Sequence, residues 1–172
     1  MAHPHPAVSA LGTLRSNFSG TVLQAGDHDY DCVRALHNGL IDKRPAVIAR
    51  CRNEADIAAS IGFAREHGLE IAVRGGGHNV SGRASVEGGM MIDLSLMKEI
   101  VVDAEARRVI AQGGVTWGEL NRATQQHGLA TTGGVISSTG IAGLTLGGGY
   151  GYLAGKHGLA SDNLLAATIV TA

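Results

Sequence analysis

The sequence has little of three things that would point to particular classes of protein: charge of one sign, cysteine and long apolar runs. Its 14 basic and 15 acidic residues are dispersed, and without a basic cluster we expect neither a nucleic-acid partner nor a membrane partner. The two cysteines, Cys32 and Cys51, have no metal-ligand spacing, which favours a reduced, cytoplasmic chain. No apolar run reaches the about 18 residues that span a bilayer, and the N-terminus lacks the pattern of a secretory signal.

Aromatic side chains are also scarce, whereas glycine is abundant. The chain contains 2 Phe, 3 Tyr and 1 Trp against 26 Gly, while 44% of its residues are hydrophobic, which indicates a globular protein. The glycines concentrate in two stretches, 75–89 and 133–151. Because excess glycine raises the entropy cost of folding, we expect a ligand to occupy these loops and offset that cost.

The first half of the chain has the pattern of a βαβ unit. Apolar residues at helical spacing predict a helix within residues 7–25. Asn53 is a good N-cap with Asp56 at the third helical position, and Gly68 is expected to end the helix that Asn53 opens. The other elements are expected at residues 30–38 (helix), 46–51 (strand) and 70–74 (strand).

The second half has a different pattern. Three short apolar runs separated by turn-sized gaps predict an antiparallel meander, with strands at 90–94, 99–103 and 107–111. Thr116 and Glu119 have the spacing of a capping box, which predicts a helix from there to His127. The tripeptide His-Gly-Leu recurs, and we interpret it as a helix end with glycine after the last turn instead of a zinc site, so no metal is expected. It occurs at 67–69, 127–129 and 157–159.

The glycine loop after the 70–74 strand is the strongest candidate site. Three consecutive glycines can take positive φ at little steric cost, so that successive amide N–H groups can surround an anion such as a pyrophosphate. His78, directly after the triplet, could reach a ligand that this backbone holds. The alternative is a glycine-rich turn with a surface histidine, and the nine residues from 74 to 82 do not decide between the two.

Two nucleotide-binding motifs are excluded in the second glycine stretch. Residues 149–154 formally fit G-x-G-x-x-A, but a polar, glycine-rich loop precedes them where a dinucleotide fingerprint requires the first strand of a βαβ unit. Gly155-Lys156 is not a P-loop, since Tyr150 stands where the first glycine should be.

Taken together, the motifs identify a family. Arg74-Gly75-Gly76-Gly77-His78-Asn79, the run 134–151 and Gly158-Leu159-Ala160-Ser161-Asp162-Asn163-Leu164 occur in this order and spacing. From about residue 30 to 172 the chain resembles the N-terminal flavin domain of FAD-linked oxidases of the vanillyl-alcohol-oxidase superfamily. Within it, the similarity is to the berberine-bridge-enzyme-like group, which includes 6-hydroxynicotine oxidases.

The resemblance implies a set of cofactor contacts. His78 matches the histidine that bonds covalently to the 8α-methyl group of the flavin ring, and such a bond raises the flavin's redox potential. Other residues match segments that contact the pyrophosphate, the flavin with its ribityl chain, and the adenine. They are, for the pyrophosphate, Arg74, Gly75, Gly76, Gly77, Asn79, Ser81 and Gly82; for the flavin, Gly134, Val135, Ser138, Thr139, Gly140, Ala142, Gly143 and Leu144; and for the adenine, a strand containing Ile169 and Val170.

The chain departs from the family pattern at a second attachment site. Many relatives form another covalent flavin bond through the cysteine of a Gly-x-Cys-Pro segment, and Ile136 and Ser137 stand at Cys-Pro here. A single covalent bond through His78 is therefore expected. Thr139 falls near the position that controls oxygen access, which leaves oxidase and dehydrogenase behaviour both open.

The resemblance implies an α+β fold, a two-lobed PCMH-type FAD-binding domain with a βαβ lobe, an antiparallel lobe with helices, and FAD between them. We assign residues 1–29 to an N-terminal helical extension, 30–82 to the first lobe and 83–172 to the second, with the substrate domain of the relatives absent.

The expected function is oxidation of an alcohol, amine or sugar-like small molecule by hydride transfer to FAD, with molecular oxygen as the acceptor. The alternative is a flavin-binding module without turnover. No catalytic residue is nominated: Asp93 and Asp103 are interpreted as solvated loop or cap carboxylates, and Tyr150 and Tyr152 as packing residues.

Overall fold

The computed structural model describes residues 8–171, which form two compact units. One unit contains residues 8–96 and 169–171, and the other contains residues 97–168. The helices are α1 (Val8–Ser16), α2 (Tyr30–Arg34), α3 (Glu54–Glu66), α4 (Trp117–Gln125), α5 (Ile141–Leu146) and α6 (Ala154–His157). The strands are β1 (Thr21–Leu23), β2 (Val47–Arg50), β3 (Ile71–Arg74), β4 (Met90–Asp93), β5 (Ile100–Asp103) and β6 (Arg108–Ala111).

The first unit contains a four-stranded sheet in the order β1-β2-β4-β3. β1 is antiparallel to β2, whereas β2, β4 and β3 are parallel, with Met90 of β4 opposite both Val47 and Ile71. The antiparallel meander predicted from residue 90 onwards is therefore wrong for its first strand. Met90, Met91 and Ile92 are buried without alternation, because a central parallel strand is covered on both faces.

The βαβ pattern of the first unit is confirmed in its main elements. Asn53 caps α3, its side-chain oxygen accepting a hydrogen bond of 2.9 Å from the amide of Asp56, and Gly68 follows the helix with φ +62°. β2 and β3 do not pair with each other, because β4 lies between them.

The helix predicted within residues 7–25 is wrong in its second half. α1 ends at Ser16, and β1 begins at Thr21. The chain turns at Gly20, where an added Cβ would lie 1.8 Å from the carbonyl oxygen of Arg50, so that the backbone enters the sheet directly. The helix expected at 30–38 ends at Arg34. Residues 1–7 of the expected N-terminal extension lie outside the described residues.

In the second unit, β5 and β6 form an antiparallel hairpin beside a small core. Asp103 is an exposed turn carboxylate, as predicted, and it accepts a hydrogen bond of 2.9 Å from the amide of Ala106. The core consists of Val115, Trp117, Leu120 and Ala160. The predicted meander is thus two strands in this unit. β4, which the expected division placed in the second lobe, belongs to the first unit.

The predicted helix boundaries in the second unit are largely confirmed. The capping box opens α4, with Glu119 Oε2 accepting a hydrogen bond of 2.7 Å from the amide of Thr116. α4 ends at Gln125, two residues before the expected end. The glycines of the three His-Gly-Leu tripeptides all have positive φ, between +62° and +76°, which confirms them as helix ends.

No helix among residues 8–171 combines the length and apolar character needed to cross a bilayer. In the same part of the chain, no three His, Cys, Asp or Glu side chains come close enough together to hold a metal ion.

Candidate functional site

The glycine loop of the first unit begins where β3 ends, at Arg74. Of the triplet 75–77, only Gly77 takes positive φ, at +71°, and Gly82 takes +74°. A Cβ added at Gly77 would lie 3.1 Å from Arg74 Nε, and one added at Gly82 would lie 2.8 Å from Ile41 Cγ2. Both positions therefore need glycine for backbone conformation, and at Gly82 an added Cβ would also overlap the side chain of Ile41.

His78 is half-buried and stacks on a second histidine, His37. The ring centroids are 3.9 Å apart, and the ring planes differ by 15°. Burial, together with the charge that His37 carries when protonated, lowers the pKa of the His78 imidazole. His78 is a partly enclosed imidazole for which the neutral form is favoured.

Arg74 places a cationic group beside the loop. One terminal nitrogen of its guanidinium donates a hydrogen bond to the carbonyl oxygen of Val33. Its Nε is buried, and no described residue offers it an acceptor. A buried donor without a partner costs free energy. This nitrogen and the glycine backbone around it therefore fit an anionic group such as a pyrophosphate.

The rest of the loop is held by its own polar groups and by the preceding segment. Asn79 Oδ1 accepts hydrogen bonds from Ser81 Oγ at 2.9 Å and from the amide of Arg83 at 3.0 Å. Lys43 Nζ donates to the carbonyl oxygen of Gly82 at 3.0 Å. The side chains of Asn79 and Ser81 therefore stabilise the turn, and Lys43 adds a second cationic group.

Asp93 is not the solvated loop or cap carboxylate that the sequence predicts. It is fully buried at the end of β4, and its Oδ2 lies 3.3 Å from Arg50 Nε and 2.7 Å from Ser95 Oγ. In the sheet register it stands between Arg50 and Arg74. The signal was available, because an aspartate directly after a continuous apolar run marks the carboxyl end of a buried parallel strand.

In the second unit, residues 133–134 pass close to Trp117. A Cβ added at Gly133 would lie 2.1 Å from Trp117 Cζ3, and one added at Gly134 would lie 2.6 Å from Leu144 Cδ1. Trp117 Nε1 is buried with no acceptor among the described residues, and so is the hydroxyl of Thr132. Neither side chain was predicted as a site residue, because no sequence motif marks them.

Residues 137–140 run beside the start of α4. The amide of Trp117 donates to the carbonyl oxygen of Thr139 at 2.9 Å, and the amide of Gly118 donates to Ser137 at 2.8 Å. α5 follows from Ile141. The predicted flavin-contacting residues of this region thus form one continuous segment; of these, Gly140 is buried, Thr139, Ala142 and Leu144 are half-buried, and Val135, Ser138 and Gly143 are exposed.

A cleft of about 270 Å³ lies between α4 and the second glycine stretch. Asn121 and Gln125 line it on the helix side, and Gly134 and Tyr152 line it on the loop side. Tyr150 and Tyr152 are 77% and 90% exposed, so their assignment as packing residues is wrong within the described residues.

The strand expected at Ile169 and Val170 is absent from the described structure. Neither sheet extends to these residues, and they have no helical or strand conformation. Without a neighbouring strand their backbone has no ladder of hydrogen bonds to join. Ile169 is 76% exposed.

The comparisons with known proteins agree with this architecture. A family profile described as an FAD binding domain matches residues 45–172. The chain is 43% identical over 164 residues to (R)-6-hydroxynicotine oxidase from Paenarthrobacter nicotinovorans, an alignment that covers 95% of this chain and 36% of that protein.

Solved structures show the same fold. The crystal structure of 6-hydroxy-D-nicotine oxidase from Arthrobacter nicotinovorans superposes with a TM-score of 0.83 at 40% identity, over 85% of this chain and 32% of that one. A glucose oxidase variant of Phl p 4 gives 0.82 at 27% identity, over 89% and 34%. The chain thus spans about a third of the length of the relatives it matches. The α+β fold expected from the sequence is confirmed, and the chain belongs to the FAD binding domain family.

Proposed function

We propose that the chain is the FAD-binding part of an FAD-dependent oxidoreductase that takes hydride from an organic alcohol, amine or sugar-like substrate and holds its flavin covalently through His78. One observation carries the proposal. A half-buried imidazole, stacked on His37, directly follows a turn that only glycine accommodates at Gly77. The family implies FAD as the cofactor, and the imidazole of His78 is a group that can bond to it.

FAD, when bound, accepts a hydride from a substrate and passes the electrons to an oxidant. Each unit contains residues that match cofactor-contacting segments of the family. Arg74 and the amides of the glycine loop would bind the pyrophosphate, while Gly134 and the segment 138–144 would lie along the flavin. The buried Nε of Arg74 and the small residues at 133–134 support these assignments.

The covalent bond would join a ring nitrogen of His78 to the 8α-methyl carbon of the flavin. Forming that bond would break one N–H and one C–H bond and release two protons and two electrons, which molecular oxygen, the acceptor proposed for turnover, would take up as hydrogen peroxide. His78 must be neutral to offer a ring lone pair, and burial favours that form by lowering the pKa of His78.

A single attachment is proposed because no second nucleophile stands at the aligned position. Ile136 and Ser137 occupy the Cys-Pro sites of the relatives. Of the two thiols, Cys51 is fully buried, and burial raises its pKa to about 12. A thiol in that state is protonated and unreactive at neutral pH.

The experiment for the covalent bond is flavin fluorescence in a denaturing gel. The unsubstituted chain should give a fluorescent band at its own mass, and His78→Ala should release all its flavin. His28→Ala is the control, since the side chain of His28 is 99% exposed, and its band should be retained. Covalent flavin in His78→Ala would refute the assignment of His78.

The alternative function is that of a flavin-binding module without turnover. Mixing the yellow protein anaerobically with alcohols, amines and sugars distinguishes the two. Bleaching of the flavin absorbance, followed by peroxide formation in air, supports the oxidase. Lasting yellow colour with every substrate supports the module.

A further inference from the structure

The stacked histidines connect the glycine loop to the segment after α2. The amide of His37 donates a hydrogen bond of 3.2 Å to the carbonyl oxygen of Gly77, the residue before His78. The next side chain, Asn38, donates from Nδ2 to the carbonyl oxygen of Val80 at 3.0 Å. His37 is therefore tied to the loop through its backbone on one side of His78, while its neighbour is tied to the loop on the other.

This arrangement restricts the orientation of the His78 ring. The ring of His37 is nearly parallel to that of His78, and the ring centroids are 3.9 Å apart. It covers one face of the His78 imidazole, which therefore has no space to rotate about its Cβ–Cγ bond. Bond formation at a ring nitrogen requires its lone pair to point at the reacting carbon, and misorientation of a reacting group slows such steps strongly. The ring of His37 thus restricts the orientation of the His78 imidazole, on which the rate of the covalent step depends.

We propose that His37 is a positioning residue, whose ring holds the imidazole of His78 in the orientation from which it bonds to the flavin. The inference rests on the proposed covalent bond. His37 takes no part in the chemistry: the same bonds break and form, and the same electrons go to oxygen.

A variant pair separates stacking from the other properties of His37. His37→Ala removes the ring, whereas His37→Phe keeps an aromatic ring that can stack but cannot accept a proton. Leu40→Ala is the matched control, because Leu40 belongs to the same segment and its side chain is 92% exposed. All four chains should have the same far-ultraviolet circular dichroism, since His37 is itself exposed.

The first measurement is the rate at which flavin-free chain becomes covalently labelled after FAD is added, followed as gel fluorescence. In His37→Ala the rate should fall by between about tenfold and about a hundredfold. His37→Phe and Leu40→Ala should stay within about threefold of the unsubstituted chain, because both keep the stacked ring on His78.

The second measurement needs no flavin. Ring protons of His78, assigned by NMR, lie over the face of His37 and should be shifted upfield by its ring current. His37→Ala should abolish that shift, and His37→Phe should retain it. A role of His37 in folding alone predicts no link between this shift and the labelling rate.

The outcomes are distinguishable. Labelling of His37→Ala at the unsubstituted rate overturns this inference and leaves the proposed function standing. Equal loss in His37→Ala and His37→Phe, with the upfield shift retained in His37→Phe, overturns stacking as the cause. Absence of covalent flavin from the unsubstituted chain refutes the covalent bond and, with it, the role of His37.

Discussion

At the scale of single residues, the glycine loop depends on positions that tolerate no side chain. Gly82 takes φ +74°, and a Cβ added there would overlap the side chain of Ile41, whereas Gly39 has open space where a Cβ would be and no positive φ. Both glycines lie in the first unit. Substituting each of them by alanine therefore separates the effect of backbone strain and overlap from the effect of replacing a glycine as such.

We expect Gly82→Ala to lower the free energy of unfolding by about 2 to 4 kcal/mol, since strained backbone and overlap with Ile41 both add. Gly39→Ala should change it by less than about 0.5 kcal/mol. Urea denaturation of both variants checks the difference. Equal stability of the two would show that the loop relaxes to admit a side chain.

The residues of the site differed in how far the sequence could predict them. The need for glycine at 77 and 82 follows from local conformation, and the motif made it visible. The stacking of His37 on His78 does not follow from any local pattern, because a folded loop brings the two rings together. The orphaned Nε of Arg74 likewise depends on which groups surround it after folding.

At the scale of elements, local sequence signals predict the helices more accurately than the sheet. Asn53, Gly68 and the Thr116–Glu119 capping box determine helix ends by hydrogen bonds within a few residues, so they were predictable. The pairing of β4 with its neighbouring strands was not predictable in this way. Its apolar run is compatible with a meander or with a central parallel strand, and only contacts with β2 and β3 decide between them.

Helix α3 allows a prediction with opposite signs in one element. Asn53→Ala removes the cap of the Asp56 amide and should destabilise the chain by about 1 kcal/mol. Gly62→Ala should stabilise it by about 0.5 to 1 kcal/mol, since Gly62 is exposed in the same helix with nothing within 4 Å of an added Cβ. Thermal unfolding followed by circular dichroism measures both. A lower midpoint for Gly62→Ala would contradict the helical conformation at that position.

At the scale of the whole molecule, the two cysteines report on the integrity of the first unit. Cys32 is exposed, and Cys51 is fully buried at the end of β2. A thiol reagent should therefore label one cysteine of the native chain rapidly and the second only after denaturation. Labelling of Cys51 in the native chain should occur at the rate of unfolding of the sheet.

Mass spectrometry of the labelled chain, with peptide mapping, measures this directly. Cys32→Ser is the control, and its native form should take up no label over the time in which the unsubstituted chain takes up one. Rapid labelling of both cysteines would contradict the buried position of Cys51.

The central place of β4 has a consequence for how cofactor binding and folding are connected. β4 is the last strand of its sheet to leave the ribosome, yet β2 and β3 both pair with it and not with each other. β2 and β3 therefore cannot be joined in one sheet until β4, which follows the glycine loop, lies between them. In the proposed function, an anion bound by this loop would stabilise the sheet by mass action, because the folded chain would bind it and the unfolded chain would not. The proposed cofactor would then raise the stability of the sheet as well as serve the reaction.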